Sequence, residues 1–489
     1  MLDDENKINL YTSSKHLSTL IAHTCMNDYY AFIEPKKSMP NILKDQPYTN
    51  TFLIKNLKIF KSTNDFQLPK SIKHIIYSTD DPFPNLYDTH VQSISFPYFS
   101  IFDHSLNKLL PKFLKKLSLP HTFNSKLDFP DTLEELIFES TSLYNHELIL
   151  PKSLKILSIG KYYSYPIKKD TFPSELVELT LWNNMHIDEQ YYPSSLKSLK
   201  IFGEPHTQII DVSKLPRSLE ELSLLYCGMK QLTIASLPPN LKRFRLGTNY
   251  HYNLDKSLFP NSLEDIKLNE WNVHEISKDT FPPNLKMLCV GDDYNRIIHS
   301  LPDKLEQLSL ECWNHKIHRG LLPDTLERIY FGDAYNQPIL EHMLPSSLEL
   351  VALGNDFNQS ISNVFVHCYK LKSLSLGTEF NKPLLPGMLP SSLQHLFLSD
   401  NFDKTFTHKS LPENLETLDV GDLFDHPIEL GILPSSLKEL LLGPLYIQEF
   451  IQGALPEGLT NLYIGNPDYF DINDNEDFRF PESLTSIHI

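Results

Sequence analysis

Glycine is scarce in this chain, 16 residues among 489, and cysteine is scarcer, with five. The glycine-rich pattern of calcium-binding β-repeats is therefore absent. Cys25, Cys227, Cys289, Cys312 and Cys368 are odd in number, scattered and without metal-ligand spacing. That excludes a disulfide framework and fits free thiols in a reducing compartment. No run of about 18 apolar residues is present to cross a bilayer. The first ten residues, MLDDENKINL, are acidic and polar, unlike a secretory signal. Basic residues are also in deficit: 44 Lys and Arg against 61 Asp and Glu leave a net charge of −17. A general nucleic-acid binder needs a basic face to neutralise phosphates, so neither nucleic acid nor membrane is an expected partner. The expectation is a soluble intracellular protein, residing in the cytoplasm.

Catalytic motifs are missing too. There is no G-x-x-x-x-G-K-[ST], H-E-x-x-H, G-x-S-x-G or C-x-x-C. The 20 histidines fall at unrelated points, such as His74, His318, His395 and His408. No enzyme activity, cofactor or metal is expected from these patterns.

Proline, by contrast, is abundant at 35 residues, and most of it is periodic. Pro345 opens LPSSLELVALG, Pro390 opens LPSSLQHLFL, Pro412 opens LPENLETLDVG and Pro434 opens LPSSLKELLLG. The spacings are 45, 22 and 22, the first being two periods because Cys368 stands where one proline is lost. A period of this size signals stacked units that cannot bury their apolar faces alone. After Pro323 come Leu326, Ile329 and Phe331, then Gly332 and the run YNQPI at 335–339. The last two apolar positions alternate as in a half-buried strand, and the first marks the turn into it. Proline suits that turn because its fixed φ and missing N–H do no harm outside the ladder. The glycine would permit a tight exit turn. The spacing predicts an α/β repeat, a leucine-rich-repeat-like solenoid with one short parallel strand per repeat of about 22 residues and about 20 repeats over 51–489. Phe52–Phe60 is the expected opening strand, and residues 1–50 the expected short helical N-terminal cap.

The phrase L-P-x-S-L-x-x-L-x-L-G followed by F-N-x-P-I resembles the FNIP-repeat family, a relative of leucine-rich repeats. YSYPI (163–167), YNQPI (335–339), FNQSI (357–361), FNKPL (380–384) and FDHPI (424–428) carry the resemblance, whereas GMKQL after Pro216 departs from it. The family often bears an N-terminal F-box, which docks on a ubiquitin-ligase adaptor. Residues 2–20 resemble the second half of such a box, with Leu10, Ser13, His16 and Leu17 at its packing positions, but the first half is absent. The resemblance leaves two readings open: a scaffold that binds protein along the strand face, or the substrate-recognition subunit of an F-box-type ligase.

Positions five and seven after each proline fall between the buried ones and should face solvent. They supply a basic group, Lys200, Arg243, Arg245 and Lys267, suited to a phosphate or acidic partner. Further on they supply Tyr330, Phe397, Asp419, Leu441 and Tyr463, an apolar stripe suited to a protein interface. Asp292, Asp333, Asp400 and Asp422 form a third column after the exit glycine, read as turn formers rather than calcium ligands. Cys289 is a candidate reactive thiol without a histidine at a comparable position. Trp182, Trp271 and Trp313 are expected to pack over the return turns.

Overall fold

The computed structural model describes residues 30–33, 56–59, 68 and 72–488, apart from 79, 98, 183–186, 204–208, 249, 269–273, 292 and 473–477. The chain divides into two compact units, Met1–Lys230 and Gln231–Ile489. Within each, every turn of chain contributes one strand of three to five residues, paired in parallel with the next. The first unit has ten such strands, from Tyr30–Ile33 to Glu221–Leu225, plus a side pair of Ile209–Ile210 with Gly228–Met229. The second has twelve, from Arg243–Arg245 to Ser486–His488. Registers do not slip: Ile329, Val351, Leu374, Leu396, Leu418, Leu440 and Leu462 stand opposite one another in sequence.

The leucine positions form the core, as their spacing required. Leu326, Ile329 and Phe331 are buried, as are Leu348, Val351 and Leu353 one turn later. Each proline opens a β-turn that delivers the first leucine: Pro323 O accepts from Leu326 N at 3.0 Å, and Pro390 O from Leu393 N at 3.1 Å. The serine or threonine just before that leucine ties adjacent coils. Ser347 Oγ donates to Leu326 O at 2.6 Å, Ser392 to Leu371 O at 2.8 Å and Ser436 to Leu415 O at 2.6 Å. These bonds satisfy buried carbonyls that no strand partner reaches.

The return segments build a second set of ladders. Trp313, Tyr335, Phe357, Phe380, Phe402, Phe424, Tyr446 and Tyr469 stack ring on ring, with centroids 6.0 to 6.5 Å apart. Such pairs add to plain burial. The asparagine after the ring is a connector: Asn314 Oδ1 accepts from Asn336 N, Asn336 from Asn358 N and Asn358 from Asn381 N, at 3.1 to 3.2 Å. The four letters of the namesake motif thus have separate mechanical roles.

Two expectations need correction. Of the proposed helical cap, only Tyr30–Ile33 lies among the described residues, and it is a strand paired with Asn56–Ile59. The rest of 1–50, including the F-box-like stretch, lies outside them. Elsewhere, helix among the described residues is limited to three 3-10 turns and one α-helical turn, Tyr469–Ile472. The return segments are too short and proline-broken to propagate helix, so the fold is a parallel β-solenoid. The exit glycine also has a different reason from the one expected. Gly332, Gly354 and Gly377 do not adopt positive φ; instead a Cβ on Gly354 would lie 1.7 Å from Gly332 O. Close approach of stacked coils, not turn geometry, excludes a side chain there. The left-handed backbone falls three residues before the proline, at Gly320, Gly387, Gly431 and Gly453, and also at Lys108, Asp170, Ala235, His342 and Lys409.

Candidate functional site

Alternation along each strand turns one face inward and leaves positions five and seven after the proline at the surface. In the second unit, position seven forms one unbroken row across successive strands: Arg245, Lys267, Cys289, Ser309, Tyr330, Ala352, Ser375, Phe397, Asp419, Leu441, Tyr463 and His488. The structure therefore joins Phe397, Asp419, Leu441 and Tyr463 on four adjacent strands. Tyr330 is set apart from them by Ala352 and Ser375. Phe397 is 37 % exposed, while Tyr330, Leu441 and Tyr463 are half-buried. Tyr463 stacks on His488 with centroids 4.5 Å apart, which closes the row at its end.

Asp419 is the one charge inside this stripe. Burial raises its carboxyl pKa, Asp400 and Asp422 nearby push the same way, and the Gly421 N–H bond at 3.0 Å opposes them. Asp400 and Asp422 lie on adjacent coils, with Leu423 N bonded to Asp400 O at 2.8 Å. Asp333 belongs to a coil several turns away, and Asp292 lies outside the described residues. The aspartate column is thus not gathered into one set of ligands.

The basic group is divided. Lys200 belongs to the first unit, where it pairs with Glu221 at 3.4 Å. In the second unit Arg245 and Lys267 are direct neighbours on paired strands, and Arg243 stands opposite Asp265. Arg245 grips Asp265 with two bonds of 2.7 and 2.8 Å, and Asp265 is buried. A charge held in such a fork is committed to its partner. The sequence contained the signal for both pairs: an acid five residues after the following proline, diagonally beside the base. Reading the columns singly missed it.

Cys289 lies beside Glu311, with Sγ to Oε1 3.4 Å, and burial pushes its thiol up to about 11. It is protonated at neutral pH and is not an activated nucleophile. Trp182 stacks on Phe202 at 4.0 Å and Trp313 begins the buried ring stack, while Trp271 lies outside the described residues. On the return side of the second unit, Asn253, Asp255, His274, Glu275, Asp279 and Arg296 help line an open polar cleft of about 550 Å³. Its charges are paired at the rim, Lys256 with Asp279 at 2.7 Å and His299 with Glu275 at 2.6 Å. Among the described residues no helix is long and apolar enough to cross a membrane.

The sequence model of the FNIP Repeat matches the chain eight times, at residues 144–184, 230–270, 271–312, 313–356, 370–401, 380–423, 402–445 and 424–467. These matches cover more than half of the chain. No curated relative matches it in sequence. Among solved structures, CroV588, described as a novel circular LRR protein, shares 28 % identity over 89 % of this chain and 69 % of its own, with a TM-score of 0.60. TLR13, solved in a complex with ssRNA13, shares 18 % identity over 84 % of this chain and 67 % of its own, with a TM-score of 0.54. Both are similar in fold.

Proposed function

We propose that this chain, which belongs to the FNIP repeat family, is a non-catalytic scaffold that binds a protein partner along the strand face of its second unit. Its solenoid of the leucine-rich-repeat kind is an architecture typical of interaction proteins. The observation that carries the reading is the row of Phe397, Asp419, Leu441 and Tyr463 on adjacent paired strands. A solvent-facing strand position has no packing need for an aromatic ring, and a stripe of them with one internal charge matches the make-up of an interface centre. The partner would present an apolar surface with a cationic or hydrogen-bond-donating group for Asp419. Tyr330 would extend the contact from two strands beyond. Lys200 and Arg245 are left out of the contact set because their charges are already paired within the protein.

The test is affinity capture from the native cell with the wild-type chain and with a Phe397→Ala, Leu441→Ala, Tyr463→Ala variant. Loss of two or more central side chains should weaken the captured partner by about thirtyfold or more, with unchanged thermal melting. Equal capture by both proteins would refute the strand face as the binding surface.

A further inference from the structure

We propose that Glu341, His342 and His367 form a site for a divalent cation of the zinc class, bridging two adjacent coils. Glu341 and His342 occupy the centre of the turn in which Met343 N bonds to Leu340 O at 3.2 Å. His367 lies on the following coil, in the turn where Cys368 N bonds to Phe365 O at 3.0 Å. Glu341 Oε1 is 3.4 Å from Nε2 of His342 and 3.4 Å from Nε2 of His367. One donor atom from each residue lies within 4.8 Å of the others. A tetrahedral ion with bonds of about 2.0–2.1 Å needs donors roughly 3.3–3.4 Å apart, so both carboxylate-to-imidazole spacings already suit it.

The surroundings support the donor set. The two rings lie face to face with centroids 4.0 Å apart, and their side-chain exposures of 50 % and 34 % leave room to turn both lone pairs onto one ion. His367 Nδ1 is 3.1 Å from the Tyr369 hydroxyl. When Nδ1–H donates to that oxygen, Nε2 carries the free lone pair, the arrangement found behind ligating imidazoles. Two imidazoles with one carboxylate favour zinc-like ions over calcium or magnesium, which take mostly oxygen ligands. The fourth position faces solvent.

The location is also unusual within the array. His342 has φ of 65°, at the position where Gly320, Gly387, Gly431 and Gly453 stand in other coils. His367 immediately precedes Cys368, in the copy that has lost its proline and contains 23 residues rather than 22. That altered spacing carries His367 over the turn of the coil before it.

The experiment is calorimetric titration of the full chain with zinc chloride, and with calcium chloride as the contrast. Binding near one zinc per chain is expected, at least about tenfold weaker in His342→Gly and in His367→Gln, with no calcium binding at that site. His342→Gly relieves the left-handed backbone, so its melting temperature should equal or exceed that of the wild type. Lost affinity in that variant is then not a consequence of unfolding. His299→Gln, which alters a pair elsewhere, should bind zinc as the wild type does. Absence of stoichiometric zinc binding by the wild type, or wild-type affinity in either ligand variant, would overturn the proposal.

Discussion

Replacing Gly354 and Gly387 by alanine, one at a time, sets two physical effects side by side. At Gly354 the backbone is in an ordinary region, but the new Cβ would lie 1.7 Å from Gly332 O and 2.5 Å from its carbon. Coils stack at about 4.8 Å, and ordinary contact needs roughly 3.4 Å or more, so the neighbouring coil must withdraw by well over 1 Å. The bond from Asp356 N to Asp333 O, 2.8 Å long, cannot survive that movement. The stack of Tyr335 on Phe357, with centroids 6.2 Å apart, must open as well. A lost bond at about 1–3 kcal/mol and overpacking at about 1–3 kcal/mol place the cost near 3–5 kcal/mol. At Gly387 nothing lies within 4 Å of the new Cβ, and φ is +83°. The cost there is left-handed strain of about 1–2 kcal/mol, offset by about 0.5–1 kcal/mol from a less flexible unfolded chain, a net effect near 1 kcal/mol. Because a repeat array need not unfold in one step, the readout is hydrogen exchange across residues 330–380 alongside thermal melting. Gly354→Ala should strip protection from its own coil and the one before it, whereas Gly387→Ala should leave protection nearly intact. Equal damage from both, or a milder effect at Gly354, would refute close coil approach as the reason for the exit glycine.

Arg245→Met should destabilise by about 2–4 kcal/mol in chemical denaturation, because it leaves the buried Asp265 carboxylate unpaired. Adding Asp265→Leu should restore most of the loss. Tyr335→Phe should raise stability by about 1 kcal/mol in thermal melts, since the Tyr335 hydroxyl is buried without a hydrogen-bond partner and phenylalanine occupies the same place in other coils. Asp211 receives bonds from Ser213 and Lys230, which lower its pKa from the usual 3.8 to about 2. Its contribution is therefore complete above about pH 4 and disappears as pH falls through about 2. The melting difference between wild type and Asp211→Asn should narrow over that interval, and a difference constant with pH would contradict the assignment.

Much of this architecture was legible in the letters. Leu326, Ile329 and Phe331 after Pro323 have only one way to share a buried face, and the structure places all three inside. The ring positions Tyr335, Phe357 and Phe380 were legible as apolar filling, but not as one stack, because stacking depends on how far each coil rises over the last. The pairing of Arg245 with Asp265 was written 20 residues apart, on the diagonal between two columns, where a reading of one column at a time does not look. The apolar row of the candidate interface was visible by position, yet only the registers showed that Phe397, Asp419, Leu441 and Tyr463 are neighbours and Tyr330 is not.

The sequence by itself determined the class of fold, since a fixed period with an apolar phrase at constant offsets leaves stacking as the only way to bury those faces. It also determined which positions could face outward, because side chains alternate along every strand. The tertiary structure alone decided which outward residues meet, as residues about 22 apart in the chain become contacts only when the coils settle into register. His342 and His367 illustrate the division. Each is an ordinary exposed histidine in the letters, and only the extra residue in one coil, acting through three-dimensional stacking, brings both within 3.4 Å of the same Glu341 oxygen.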